Sequence, residues 1–180
     1  MNNGKTELRD LVRIPLMSVV IVVCSWISVP APVPFTLQTF GVFCALLLLG
    51  GRRGTLSVLL YILLGAAGLP VFAGFNSGIG ALLGPTGGYI LGFLLCALLY
   101  RLLEGKAKDA LILALGNLVC YAFGTLWFVI VYSSGEETIG FGAALMMCVV
   151  PYIVPDALKL ALALIVSRRL SPLISRARGK

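Results

Sequence analysis

The sequence contains no histidine, few charged residues and no closely spaced pair of cysteines. Without histidine, a histidine-containing catalytic triad and a histidine-ligated haem or metal site are excluded, which argues against most membrane-embedded hydrolases. The five cysteines occur singly in apolar stretches, without the C-x-x-C spacing of zinc and redox sites, and we interpret them as small buried hydrophobic residues. We therefore expect a protein that is not an enzyme and that holds no metal and no cofactor. The cysteines are Cys24, Cys44, Cys96, Cys120 and Cys148.

Charge of negative sign is scarce, with 7 Asp+Glu against 14 Lys+Arg. A nucleic-acid-binding protein would need its basic residues on one face of a soluble domain, and no such domain is visible. Two segments match nucleotide-binding motifs only in part. Gly4-Lys5-Thr6 lacks the upstream glycine of a phosphate-binding loop. Residues 78–84 have the wrong glycine spacing for a dinucleotide-binding motif. We predict no nucleic-acid partner and no ATP hydrolysis by this chain alone.

Apolar sequence dominates instead. Of the 180 residues 59% are hydrophobic, and the mean hydropathy of +1.04 is more than one soluble core can hide. This composition predicts an all-α membrane protein, a single domain over residues 1–180 with six transmembrane helices embedded in a lipid bilayer. Several predicted spans are shorter than the roughly 20 residues of a straight crossing. The predicted spans are 14–29, 36–50, 55–69, 88–103, 110–132 and 155–167.

The positive charges predict the orientation. Thirteen of the 14 Lys and Arg residues fall in connectors that would share one side of the membrane, whereas the opposite connectors carry only Glu136 and Glu137. The positive-inside rule then places both termini in the cytoplasm. A basic N-terminus before an apolar run is also typical of a cleaved signal peptide, but cleavage would leave five spans and break this alternation.

Two outer connectors contain apolar sequence. Residues 68–87 are too rich in glycine and proline for one continuous helix and too apolar for a solvated loop, so we predict a partly re-entrant lid loop between the third and fourth spans. Residues 141–151 predict a short helix that stops at Pro151. Pro155 would then be the first residue of the sixth span and Asp156 would lie in its first turn.

Asp156 and Lys159 interrupt the apolar run from residue 154 to 166. A charged residue at the centre of a bilayer helix costs about 2.5–3.5 kcal/mol on insertion scales, so we take this pair as the first candidate for a binding site. Three residues apart on a helix, the two side chains share a face and could instead serve only to neutralise each other. Together they present an acceptor and a cluster of donors, which suits a ligand group carrying both N–H and C=O.

Other polar residues lie inside the predicted spans. Gly84, Gly88 and Gly92 are four residues apart and predict close helix packing, while Gly84 and Tyr89 at the entrance to the fourth span could face a ligand. Asn117 begins a polar stripe that predicts either hydrogen bonds between helices or ligand contacts. Gln38 and Asn76 could orient a ligand or satisfy backbone groups. The remaining members of the stripe are Tyr121 and Thr125.

These residues resemble the BioY family, the biotin-binding S-components of energy-coupling factor (ECF) vitamin transporters. Four blocks carry the resemblance in matching order and spacing over nearly the whole chain. They are residues 33–39 (VPFTLQT), 51–57 (GRRGTLS) with 65–73 (GAAGLPVFA), 84–89 (GPTGGY) and 155–159 (PDALK).

The resemblance implies high-affinity biotin uptake across a bacterial plasma (inner) membrane. The implied partners are a transmembrane coupling subunit and two ATP-binding cassette ATPase subunits, and self-association of the isolated chain into a homo-oligomer is left open. The implied binding residues are Asp156, Lys159, Tyr89, Asn76 and Gly74. Small alanines common on the first helix of S-components are replaced here by the bulkier stretch 18–25 (SVVIVVCS).

A ureido ring is expected to lie against Asp156 and Lys159, because a ligand carboxylate there would be repelled by Asp156. The biotin tail would then point toward the lid loop. Two other interpretations stay open: an S-component for a different small vitamin, or a stand-alone secondary carrier that uses Asp156 as a proton relay.

Overall fold

The computed structural model describes residues 3–31, 33–133 and 140–176, and for residues 3–9 and 173–176 it describes the backbone alone. The described chain consists mainly of eight α-helices with one two-stranded antiparallel ribbon. The elements are α1 (Asn3–Trp26), β1 (Ser28–Val29), β2 (Phe35–Thr36), α2 (Gln38–Leu49), α3 (Gly51–Ala66), α4 (Gly78–Leu83), α5 (Gly87–Leu103), α6 (Asp109–Tyr132), α7 (Phe141–Cys148) and α8 (Val150–Arg176).

The predicted all-helical architecture is confirmed. Within the described residues, two helical stretches are long and apolar enough to cross a membrane, namely α6 and the stretch Phe141–Pro172, which contains α7 and most of α8. The helices α2 and α5 are apolar but shorter. The ribbon between α1 and α2, in which Ser28 pairs with Thr36 and Val29 with Phe35, is an addition to the predicted fold. The acidic connector residues Glu136 and Glu137 lie outside the described residues.

The predicted helix start at Pro155 is wrong. Helix α8 begins at Val150, so Pro155 lies inside it and Asp156 falls in the second turn rather than the first. Pro151 does not prevent this start, because the first turn of a helix leaves its N–H groups without helical partners and tolerates proline. The break between α7 and α8 occurs earlier, at Val149, whose backbone leaves the helical region with φ −124° and ψ −55°.

Glycines allow α5 and α6 to pack closely, as the small-residue spacing predicts. A Cβ built on Gly92 would lie 2.7 Å from Cys120 Sγ, and one on Gly116 would lie 2.5 Å from Cys96 Sγ. Added at Gly88, a Cβ would overlap the Trp127 side chain. Contacts this short exclude larger residues, so the glycines set the distance between the two helices.

The connector between α3 and α5 (residues 67–86) is attached to the bundle at both ends. Near its start, Ser25 Oγ donates to Val71 O at 2.5 Å and Trp26 Nε1 donates to Pro70 O at 2.9 Å. The connector also contributes a buried ring to the core, since Phe72 occupies a notch left by the absent side chain of Gly65. Near its end, Trp127 Nε1 donates to Gly84 O at 3.0 Å. Between these two attachments the segment forms a 3₁₀ turn (Ala73–Phe75) and α4. It is therefore not a solvated loop.

A second cluster of polar contacts holds the corner where α2 meets α3. Glu104, just beyond α5, accepts a hydrogen bond from the backbone N–H of Gly51 at 2.9 Å. This carboxylate satisfies an N–H group at the start of α3 that no local side chain caps. Arg53 forms an ion pair with Asp10 on α1 at 2.7 Å. The corner thus joins α1, α3 and the end of α5.

Candidate functional site

A cavity of about 500 Å³ lies inside the helical bundle. Its wall is built from the ribbon region, the start of α2, the α3–α5 connector, and parts of α5, α6, α7 and α8. Every residue predicted for the site lines this wall except Gly74. The predicted residues on the wall are Gln38, Asn76, Gly84, Tyr89, Asn117, Asp156 and Lys159.

Asp156 and Lys159 form a buried ion pair at the cavity wall. Lys159 Nζ donates to Asp156 Oδ1 at 2.7 Å, and each residue is 6% exposed. The pair is therefore local to α8, as the three-residue spacing predicts, and both members also face the cavity. Burial of two charges is costly unless each also has other polar partners.

Those additional partners come from other elements. Tyr121 on α6 donates its hydroxyl hydrogen to Asp156 Oδ2 at 2.5 Å. On the other member of the pair, the Lys159 ammonium lies 4.1 Å from the centroid of the Phe35 ring in the ribbon. An ammonium over an aromatic face is attracted by the ring electrons, by about 2 kcal/mol or more when the pair is desolvated. The ion pair is thus held between α6 and the ribbon.

Tyr89 on α5 has a defined position at the cavity wall. Its hydroxyl shares a hydrogen bond with Thr125 Oγ1 at 2.9 Å, which connects α5 to the polar stripe on α6. The ring packs against Gly124, where an added Cβ would overlap Tyr89 Cδ1. The predicted hydrogen bonds between helices are therefore present for Tyr121 and Thr125, while Asn117 in the same stripe lines the cavity.

Gln38 begins α2 and is 4% exposed. Its Nε2 donates to Tyr61 OH at 2.7 Å, which links α2 to α3. The sequence predicted that this amide would either orient a ligand or satisfy backbone groups. In the structure it bonds instead to a buried side-chain hydroxyl. The side chain still lines the cavity.

Asn76 and Gly74 differ in their relation to the cavity. Asn76 lines it, and its Nδ2 donates to Ala73 O at 2.9 Å, so this amide does satisfy backbone of the connector. Gly74 does not line the wall. With φ +65° it forms, together with Phe75 at φ +61°, the left-handed turn that precedes Asn76. Gly74 therefore has a conformational reason to be glycine.

Several wall residues were not predicted from the sequence. Tyr152, near the start of α8, donates its hydroxyl to Val33 O and stacks on Phe35 with ring centroids 6.1 Å apart. The sequence could not indicate this, because the predicted helix start at Pro155 left Tyr152 in a linker. The polar stripe did contain Tyr121, but its contact with Asp156 depends on how α6 meets α8. The wall also includes Thr36, Thr39, Phe93, Cys120 and Cys148.

The cavity brings a buried ion pair and several polar side chains together on one wall. Among the residues that the structure describes, no cluster of histidine, cysteine, aspartate or glutamate could hold a metal ion. In the same part of the chain, every deeply buried side-chain nitrogen and oxygen has a hydrogen-bond partner. The cavity is partly open and has both apolar and polar walls. Its volume lies within the range of small-molecule sites, which measure about 300–1,000 Å³.

The fold is thus a helical bundle that contains apolar helices of membrane-spanning length and a cavity large enough for a small molecule. The chain matches the model of the BioY family over residues 1–176. This protein belongs to the BioY family.

Relatives match most of the chain. The "Probable biotin transporter BioY" of Pyrococcus horikoshii is 45% identical over 139 residues, covering 77% of this chain and 81% of the relative. The "Biotin transporter BioY" of Thermotoga maritima is 41% identical over 172 residues, which is 92% of this chain and 98% of the relative.

A solved structure is similar throughout. It is described as the crystal structure at 2.1 Å of the S-component for biotin from an ECF-type ABC transporter. It superposes with a TM-score of 0.81 at 29% identity and covers 94% of this chain and 93% of the solved chain.

Proposed function

We propose that this protein is the biotin-capturing S-component of an ECF transporter and binds biotin with high affinity in the cavity. The observation that carries the proposal is the buried Asp156–Lys159 pair facing a cavity of about 500 Å³. The names of the relatives in Pyrococcus horikoshii and Thermotoga maritima support biotin as the ligand. The similarity to a solved S-component for biotin supports the role of S-component.

The ureido ring of biotin complements the ion pair. A carboxylate has about four acceptor positions and an ammonium three donors, so Asp156 and Lys159 retain hydrogen-bonding capacity beyond their mutual contact. The carboxylate accepts from ureido N–H and the ammonium donates to the ureido carbonyl. Tyr89 and Phe93 offer aromatic surface to the fused rings. Asn76 and Gly84 lie on the connector side of the cavity, toward which the valerate tail extends.

Six helices span the membrane in this proposal: α1, α2, α3, α5, α6 and α8. Both termini are cytoplasmic, because Arg52, Arg53 and Arg101 lie at the helix ends remote from the cavity. The connector and the ribbon then face outward and cover the ligand, and the connector acts as the lid. The protein lies in the plasma membrane and receives ligand from outside.

Release requires partner subunits. A ligand that is bound tightly dissociates slowly. The ECF coupling subunit and two ATPase subunits supply the energy, since this chain performs no ATP hydrolysis and no catalysis of its own.

The binding experiment uses the purified chain in detergent. Small molecules that copurify are identified by mass spectrometry, and the fluorescence of Trp26 and Trp127 is titrated with biotin, with thiamine and riboflavin as controls. We expect a saturable response to biotin alone. Saturable binding of another vitamin, or no response to biotin, would contradict the substrate assignment.

A second experiment tests the ligand orientation. Capping the biotin carboxylate as an amide should weaken binding less than Asp156→Ala does, because the tail lies away from the ion pair. Asp109→Ala, which removes a carboxylate bonded to Tyr100 outside the cavity, is the matched control and should leave affinity unchanged. If the amide lowers the affinity more than Asp156→Ala does, the proposed orientation of biotin is wrong and the tail lies against the ion pair.

A further inference from the structure

The Asp156 carboxylate is held from two helices. Lys159 on α8 donates to Oδ1 at 2.7 Å, and Tyr121 on α6 donates to Oδ2 at 2.5 Å. Lys159 is attached to the same helix three residues away, so it moves with Asp156 when α8 moves or rotates. Tyr121 is separated by 35 residues and belongs to a different wall of the cavity. It therefore fixes the carboxylate relative to the rest of the site.

We propose that Tyr121 is a positioning residue that orients Asp156 toward the N–H groups of the ligand and so contributes to ligand selection. This inference rests on the proposed function. Two anchored oxygens define the plane of the carboxylate, and its remaining acceptor positions then point in fixed directions. Without the tyrosine hydroxyl, Lys159 is the one hydrogen-bond donor to this carboxylate that remains among the described residues, and it belongs to the same helix.

The position of Tyr121 supports this role. The residue lines the cavity beside Asn117 and Cys120 on the same helix, so its ring is part of the wall that a ligand contacts. Its hydroxyl hydrogen is used in the bond to Asp156, and its oxygen, which also interacts with the Asn117 side chain, is an acceptor with two lone pairs. A ligand N–H thus meets acceptors on both α6 and α8, whereas a ligand acceptor meets only the Lys159 ammonium of these three groups.

The test compares ligands that differ in one N–H group. The probes are biotin and its two mono-N-methylated ureido analogues, titrated by calorimetry against the wild-type chain and Tyr121→Phe. In Tyr121→Phe the misoriented carboxylate no longer accepts a well-aligned hydrogen bond from the ligand, and the loss of one such charge-assisted bond should weaken binding of biotin about tenfold or more. For the analogue whose methyl group replaces the N–H facing Asp156, the same substitution costs much less. The preference for biotin over that analogue therefore falls by about the same factor.

Controls separate positioning from general stability. Tyr132→Phe removes a hydroxyl from the same helix outside the cavity wall and should change neither affinity nor preference. If Tyr121→Phe does not fold, Tyr121→Met fills similar space without a hydroxyl and is measured instead. Thermal unfolding of each variant is recorded without ligand.

Equal loss of affinity for biotin and both analogues would overturn the inference, because it would show a structural role alone. Unchanged affinity for all three ligands would overturn it as well. Failure of the wild-type chain to bind biotin would instead contradict the proposed function, so the two failures are distinguishable.

Discussion

At the scale of residues, two short-range patterns were readable in the sequence. The three-residue spacing of Asp156 and Lys159 predicted a shared helix face, and the structure has them in a 2.7 Å ion pair. The four-residue spacing of Tyr121 and Thr125 predicted either hydrogen bonds between helices or ligand contacts, and both residues make hydrogen bonds between helices. The contact of Lys159 with Phe35 was not predictable, because only the tertiary fold brings the ribbon to α8. The roles of these residues in binding stay predictions.

The ion pair yields a prediction about stability. Lys159→Met leaves the buried Asp156 charge with Tyr121 alone, and breaking a buried pair in this way costs about 3–5 kcal/mol. The double variant Asp156→Asn/Lys159→Met removes both charges and should lose much less stability, although neither variant binds biotin well. Thermal unfolding in detergent without ligand measures the difference. A double variant less stable than the single one would contradict this account of the pair.

A glycine opposite Tyr89 yields a second prediction. In Gly124→Ala the new Cβ would overlap Tyr89 Cδ1, so the ring must move and the bond to Thr125 is disturbed. Overpacking of this kind costs about 1–3 kcal/mol, and we expect weaker biotin binding together with lower stability. Gly142→Ala, where an added Cβ meets nothing within 4 Å, is the control. Equal affinities of the two variants would show that the position of Tyr89 does not matter.

At the scale of elements, apolar runs predicted the long helices, but helix ends depended on local backbone chemistry. The sixth span was predicted to start at Pro155, yet the chain turns at Val149 and α8 begins at Val150. The sequence is compatible with a helix start near Pro151 or at Pro155, because proline is tolerated in the first turn of a helix. The connector was correctly predicted to lack a continuous helix, while its 3₁₀ turn and α4 required the contacts with α1 and α6.

The two tryptophan bonds to the connector predict slow ligand release. Trp26 holds Pro70 O near the start of the connector and Trp127 holds Gly84 O near its end. Trp26→Phe and Trp127→Phe keep an aromatic ring but remove the N–H donor, so the connector should open more often. We expect several-fold faster dissociation of radiolabelled biotin from either variant. Tyr132→Phe is the control, and an unchanged dissociation rate in both tryptophan variants would exclude these bonds as restraints on the lid.

At the scale of the whole molecule, composition and charge predicted a helical membrane protein, and the proposed orientation follows from the positive-inside rule. Folding in water could not explain the many exposed leucines and valines of α1, such as Leu11, Val12, Leu16, Val19 and Val23. The arrangement of α5 against α6 was partly readable from glycine spacing. The sequence did not reveal how the ribbon, the connector and α8 come together around one cavity, because these contacts join distant parts of the chain.

The proposed orientation predicts which added thiols react in intact cells. All five native cysteines are free and buried, so they should react slowly with a membrane-impermeant maleimide. Gly140→Cys, at an exposed position before α7, should be labelled in intact cells. Lys106→Cys, exposed between α5 and α6, should be labelled only after permeabilisation. The opposite pattern would invert the topology.

Two of the native thiols have a practical use that follows from their position. Cys120 and Cys148 belong to the cavity wall. A sulfhydryl reagent small and uncharged enough to enter will compete with the natural ligand for the same volume. These two thiols should therefore be blocked more slowly when ligand fills the cavity than when it is empty.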